Sequence, residues 1–363
     1  MPLHPRSPFS SCLRSLAAAG LILAGTSARA EPQIHVSTAK EGAIQIRVVD
    51  AAPAGCQPSA GPVWARGLDV HFALQPAPGP CRNAPPAERF ELVSAPVRPA
   101  VEGLNGARAL RVHVLDARDG RLLGFTLAGG RAPAERPESG LWWPEAGGEF
   151  DTSGPGLGVQ IEVQDRTLAL TVAGYDALGA PTWWFGAAPL DTAPTLIELS
   201  ALQGGAGPFA RYTPPGRIQP AGRLLIEWLG PARAVFWFLR AAADRDELEL
   251  RPISMTRFSF GLRPGEGWAG DWVLVVEQDA EAARTELHRF DWAGGDEHRF
   301  ELASDRGLRL VCRRAAGAPE QVPEGCQLWP EDGEGEVWDL PDIGIGRLSG
   351  GSGGQRVRLL RLR

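Results

Sequence analysis

VQIEVQDRTLALTV, residues 159–172, sets Val159, Ile161 and Val163 against Gln160, Glu162 and Gln164, then passes through Asp165 and Arg166 into Leu168, Leu170 and Val172. Two runs of period two joined by a short polar turn predict a β-hairpin with one dry and one wet face. The same pattern continues downstream. DALGA (176–180) is a further turn, followed by TWWFG, LIELS (196–200), RLLIEWL (223–229), AVFWFL (234–239) and ISMTRFSF (253–260). Roughly eight strands joined mostly by short turns predict an up-and-down meander able to close into a barrel, here residues 135–261.

Alternation also governs the flanks, so the expected fold class is all-β throughout. Residues 31–134 hold Ile44, Ile46 and Val48; Leu68, Val70, Phe72 and Leu74; and Leu110, Val112 and Val114, each on alternate positions. DARDG (116–120) turns that chain toward Phe125 and Leu127, and the whole reads as a small sandwich-like domain. RAPAERPES (131–139) reads as a linker. Residues 262–363 form a C-terminal small β domain with WVLVVEQ (272–278), LHRFDW, RFELAS, LRLVC and a final RVRLLRLR. SGGSGG (349–354) reads as a flexible loop, and EQDAEAARTELHRF is open between helix and hairpin.

Residues 1–30 have the layout of a secretory signal: Arg6 and Arg14, an apolar run from Leu16 to Gly25, and Ala28-Arg29-Ala30 as a cleavage site. That run of about ten residues is short of the ~20 needed to span a bilayer. The expected location is periplasmic or secreted, with no transmembrane segment after cleavage. Cys12 would leave with the signal. Cys56, Cys81, Cys312 and Cys326 remain, an even number that favours two disulfides in an oxidising compartment. Three pairings are possible; proximity favours Cys56 with Cys81 and Cys312 with Cys326, each closing a loop that contributes roughly 3 kcal/mol. Loss of Arg6, Arg14 and Arg29 takes 37 basic residues to 34 against 43 acidic ones, a net charge of −9. Such a chain repels nucleic acid and anionic lipid.

GLWW (140–143), Gly156-x-Gly158 leading a strand, and Tyr175, Asp176, Gly179, Pro181 and Trp183 within YDALGAPTWW resemble a pattern of uncharacterised exported β proteins of proteobacteria, over residues 138–260. The resemblance implies a β fold and export. It implies no activity. The acidic, glycine-rich insertion PEAGGEFDTSG (144–154) departs from the pattern.

Adjacent side chains on a strand face opposite ways. Leu141 and Trp143 would then share one face and leave Trp142 on the other, while Trp183 joins Phe185 and Trp184 joins Thr182 and Gly186. Trp142 and Trp184 are therefore the candidates for an accessible aromatic platform on which a sugar ring could stack; the alternative buries them under a neighbouring domain or in a barrel interior. Glu145, Glu149 and Asp151 lie near the first doublet, and a glycosidase needs two carboxylates beside an aromatic cleft. No G-x-S-x-G, HExxH, P-loop or Cys–His arrangement occurs, no metal or cofactor is expected, and the calcium spacing is irregular. His71 and His113 could meet only if their strands are neighbours. The strands are also short for an outer-membrane barrel. The expected function is a non-catalytic binding or envelope-associated interaction module whose partner is a glycan or an envelope protein. The alternative is a carbohydrate-active hydrolase.

Overall fold

The computed structural model describes residues 31–362 except 54, 78, 80–86, 100–103, 105–107, 131–135, 146–155, 177–178, 191–193, 208, 243–246, 261–264, 279–281, 297, 315–321, 331 and 334. Two small sheets come first. β1 (Gln33–Thr38), β2 (Ile44–Pro53) and β5 (Ala87–Val93) form one; β3 (Ser59–Arg66), β4 (Asp69–Gln75), β6 (Leu110–Asp116) and β7 (Leu122–Ala128) form the other. The alternating residues explain how they stack. Ile44, Ile46 and Val48 from β2 meet Val70, Phe72 and Leu74 from β4 and Leu110, Val112 and Val114 from β6 in one core.

The next eight strands are β8 (Gly140–Pro144), β9 (Gly158–Gln164), β10 (Thr167–Tyr175), β11 (Pro181–Pro189), β12 (Thr195–Gln203), β13 (Arg217–Trp228), β14 (Arg233–Ala241) and β15 (Leu248–Arg257). Each pairs antiparallel with its successor, and β15 returns to β8 to close a barrel. The last strands are β16 (Gly270–Gln278), β17 (Arg284–Gly295), β18 (Arg299–Ser304), β19 (Leu308–Arg313), β20 (Gly325–Pro330), β21 (Trp338–Ile343), β22 (Arg347–Ser352) and β23 (Gln355–Arg361). They close a second eight-stranded barrel through β16 and β23. Eight strands enclose an interior just wide enough for side chains or one small ligand. The C-terminal region is thus a barrel in its own right, packed inside with Trp272, Leu274, Phe290, Phe300 and Leu359 among others.

Both barrels begin with the same device. Gly140-Leu141-Trp142 opens β8 and Gly270-Asp271-Trp272 opens β16. Each tryptophan is fully buried and donates its indole N–H four residues back, Trp142 to Glu138 O (3.1 Å) and Trp272 to Trp268 O (2.8 Å). Each barrel's last strand ends in an arginine that ties this corner down. Arg257 donates to Ser139 O (2.9 Å) and Leu141 O (3.1 Å); Arg361 donates to Ala269 O (2.8 Å) and to Gly267 O. Glycine is required at position 140, where φ is +128° and a Cβ would run into the Arg257 guanidinium. First and last strands are thereby fastened at one end of each barrel.

AVFWFL is apolar on both faces because both are covered. Ala234 and Phe236 point into the barrel, while Val235, Trp237 and Leu239 pack against Phe125 and Leu127 of β7. Glu227 lies in that seam, nearly enclosed, and accepts from Arg108 Nε (2.5 Å), Arg108 Nη2 (3.1 Å) and Ala109 N (3.0 Å). The two barrels also touch. The Glu138 carboxylate accepts from Ile345 N (2.8 Å) and Gly346 N (2.9 Å) in the turn after β21.

One expectation changes and one open reading is decided. SGGSGG is not a loop: Ser349–Ser352 belong to β22, and Gly353 and Gly354, both at positive φ, make its turn into β23. Gly350 and Gly351 lie so close to the backbone of Asp339 and Gln355 that a Cβ would collide with their carbonyl oxygens. They permit close approach of strands rather than mobility. EQDAEAARTELHRF resolves to a hairpin, β16 ending at Gln278 and β17 starting at Arg284.

Candidate functional site

The central barrel has one shut end and one open end. At the shut end Trp142 stacks on Phe236 (ring centroids 6.2 Å apart) and meets Trp228 edge-on (5.8 Å), and the Trp228 indole N–H donates to Thr195 Oγ1 (3.0 Å). Large rings fill that cross-section. The open end is where β10, β12 and β14 finish and β9, β11, β13 and β15 begin. It holds a cavity of about 200 Å³ walled by Leu157, Trp184, Leu199, Ala221, Phe238 and Ile253. Arg240, Glu249 and Arg251 stand at its rim, with Arg240 Nε donating to Glu249 Oε2 (2.7 Å).

The space arises from missing side chains. β12 and β13 shift register beyond Leu199, and Gly222 sits at that irregularity with φ +134° and the Leu239 carbonyl where a Cβ would go. Gly174 and Ala221 are the other small residues beside it, so the rings of Trp184 and Phe238 face an unfilled volume. Tyr175, Tyr212 and Ile218, all exposed, lie at the same end of the barrel.

Placement of the expected site residues requires one correction. Trp142 is not an accessible platform: it is fully buried at the shut end, and Trp143 takes the outer face, packing on Phe258 with ring centroids 5.8 Å apart. Leu141 and Trp143 are apolar yet face outward beside Gly158, so hydrophobicity did not distinguish the two sides. Trp184 turns inward and walls the cavity, whereas Trp183 is on the outside at 47% exposure. Glu145 is held in a two-pronged pair by Arg233, at 2.8 and 3.2 Å. Glu149 and Asp151 lie outside the described residues. Cys312 and Cys326 are bonded to each other across β19 and β20. Cys56 is also in a disulfide, and Cys81 lies outside the described residues. Leu199, Phe238, Arg240 and Arg251 were not anticipated; the signal available was a glycine, Gly222, inside an otherwise apolar strand.

His71 and His113 do meet. β4 and β6 are parallel neighbours, and the two rings stack at 4.8 Å within a column running from Trp64 through Phe125 to Trp237. His113 Nε2 lies 3.1 Å from Asp69 Oδ1. Among the described residues no group of three potential metal ligands occurs. Burial pushes both imidazoles below their ordinary range; Asp69 opposes this at both, and Arg111 and the facing His71 add to it at His113. The folded chain therefore holds these rings neutral while the unfolded chain takes up protons below about pH 6.5. This part of the stability is present above that pH and is lost as pH falls toward the folded values. The melting temperature should drop between pH 7.5 and 5, and the drop should shrink in a His71→Asn/His113→Asn variant. An equal drop in that variant would place the titration elsewhere.

No protein-family model matches the chain, and no curated protein matches it. Among the described residues no helix is long and apolar enough to cross a membrane.

Proposed function

We propose that this chain is an exported, non-catalytic binding module whose central barrel receives a small apolar or aromatic molecule at its open end. The observation that carries this reading is the cavity of about 200 Å³ bounded by Trp184, Phe238, Leu199 and Ile253. An apolar cavity of about 150 Å³ stays dry and takes up benzene, so this one encloses one ring while its open mouth leaves room for the rest of a larger aromatic molecule to project. Arg240, Glu249 and Arg251 would meet the polar end of such a molecule where it leaves the barrel. Export is supported by the N-terminal thirty residues and is compatible with the disulfides. The envelope is then where a partner or ligand would be met.

Titration with the neutral dye N-phenyl-1-naphthylamine, which brightens in apolar surroundings, tests this. A saturable rise with one dye per chain is expected, weakened about tenfold by Ala221→Phe, which fills the cavity, and to a similar degree by Trp184→Ala. A rise that never saturates, or one that Ala221→Phe leaves unchanged, would refute the reading.

A further inference from the structure

We infer that the outer wall of the C-terminal barrel carries a second binding site, for an uncharged carbohydrate, with Trp329 as its stacking platform. Strands β18 to β21 lie side by side there, and their outward residues are in register: Glu301 opposite Val311, Val311 opposite Gln327, and Gln327 opposite Asp339. One pleat to one side Arg299 opposes Arg313 and Arg313 opposes Gly325; one pleat to the other, Arg309 opposes Trp329. Long side chains therefore surround a centre occupied by Val311 and Gly325. The result is a groove of about 530 Å³, within the range of small-molecule sites.

Gly325 is part of the construction. A Cβ there would lie 3.2 Å from Arg313 Nη2, so its absence lets the guanidinium rest on the groove floor. Arg313 and Glu324 have no ion-pair partner among the described residues, so a cation and a carboxylate stand open in the groove. Gln327 Nε2 donates to Asp339 Oδ1 (2.8 Å), fixing an amide beside a second carboxylate. Trp329 presents its indole at 39% exposure.

The chemistry of this set selects its ligand. Guanidinium and amide groups donate, carboxylate and amide oxygens accept, and vicinal hydroxyls of a sugar need both. An indole matches the apolar face of a pyranose ring. Arg299 and Arg309 pair with Glu301, and across the wall Arg299, Arg309 and Arg313 are balanced by Glu301, Glu324 and Asp339, so the groove has no net charge to draw a polyanion or a polycation. Four charged side chains and an amide make this lining more polar than that of the central-barrel cavity, which separates the two sites.

The test is calorimetric titration of the full chain with maltotriose, cellotriose and chitotriose, and with trigalacturonate as the charged control. At least one neutral trisaccharide should bind saturably at one site. Trp329→Ala should weaken it at least about tenfold and Gln327→Ala by several-fold, while dye binding in the central barrel and the melting temperature stay as in the parent. Binding of none of the neutral sugars, binding of trigalacturonate alone, or unchanged affinity in Trp329→Ala would each overturn the assignment. Because the dye reports on the other barrel, either site can fail without the other.

Discussion

Trp142→Ala is expected to destabilise the central barrel by about 3–5 kcal/mol, the usual range for removing a fully buried large aromatic ring. The indole fills the shut end against Trp228 and Phe236, and its N–H satisfies the Glu138 carbonyl. Glu138 in turn caps two backbone N–H groups of the C-terminal barrel, so loosening this corner also weakens the contact between barrels. Trp143→Ala should cost far less, since that ring lies on the outer wall against Phe258. Urea unfolding of both variants reads the difference directly. Equal losses would contradict the unequal burial of the two rings, and a larger loss in Trp143→Ala would mean that the two faces of GLWW had been assigned the wrong way round.

Glu227→Ala is expected to cost about 3 kcal/mol or more, toward the lower end of the penalty for breaking a buried ion pair. Its carboxylate accepts three hydrogen bonds in a seam otherwise made of Leu225, Val235, Trp237, Phe125 and Leu127. Without it, the Ala109 N–H is left unpaired in an apolar surrounding and Arg108 loses its counter-charge. Arg108 keeps 40% of its side-chain exposure, and water there limits the damage. Hydrogen exchange should show the β6 and β7 amides opening sooner while those of the C-terminal barrel hold. Pairing the change with Arg108→Leu should recover part of the loss. A cost under about 1 kcal/mol would show that apolar burial alone holds the seam.

Much of the fold was legible because the period of two is local. Val159–Val172 forms the hairpin its alternation announces, and Ile44, Phe72 and Val112 reach one core as their patterns require. Barrel closure was harder to read. Arg257 and Arg361 fasten strands that begin far earlier in the chain, and only the repeated Gly-x-Trp at Gly140 and Gly270 hints at it. GLWW misled because both of its faces are apolar, so alternation had nothing to sort. The cavity was hidden for a different reason. It depends on small residues, Ala221 and Gly222, where larger side chains are absent, and a pattern of hydrophobic residues does not register a gap.

The most direct test of ligand binding in the central barrel is a crystal of the chain grown with 1-bromonaphthalene and measured at the bromine edge. One anomalous peak among Trp184, Phe238 and Ile253 is the expected result. A cavity without bromine, or peaks confined to the outer walls of the two barrels, would contradict it.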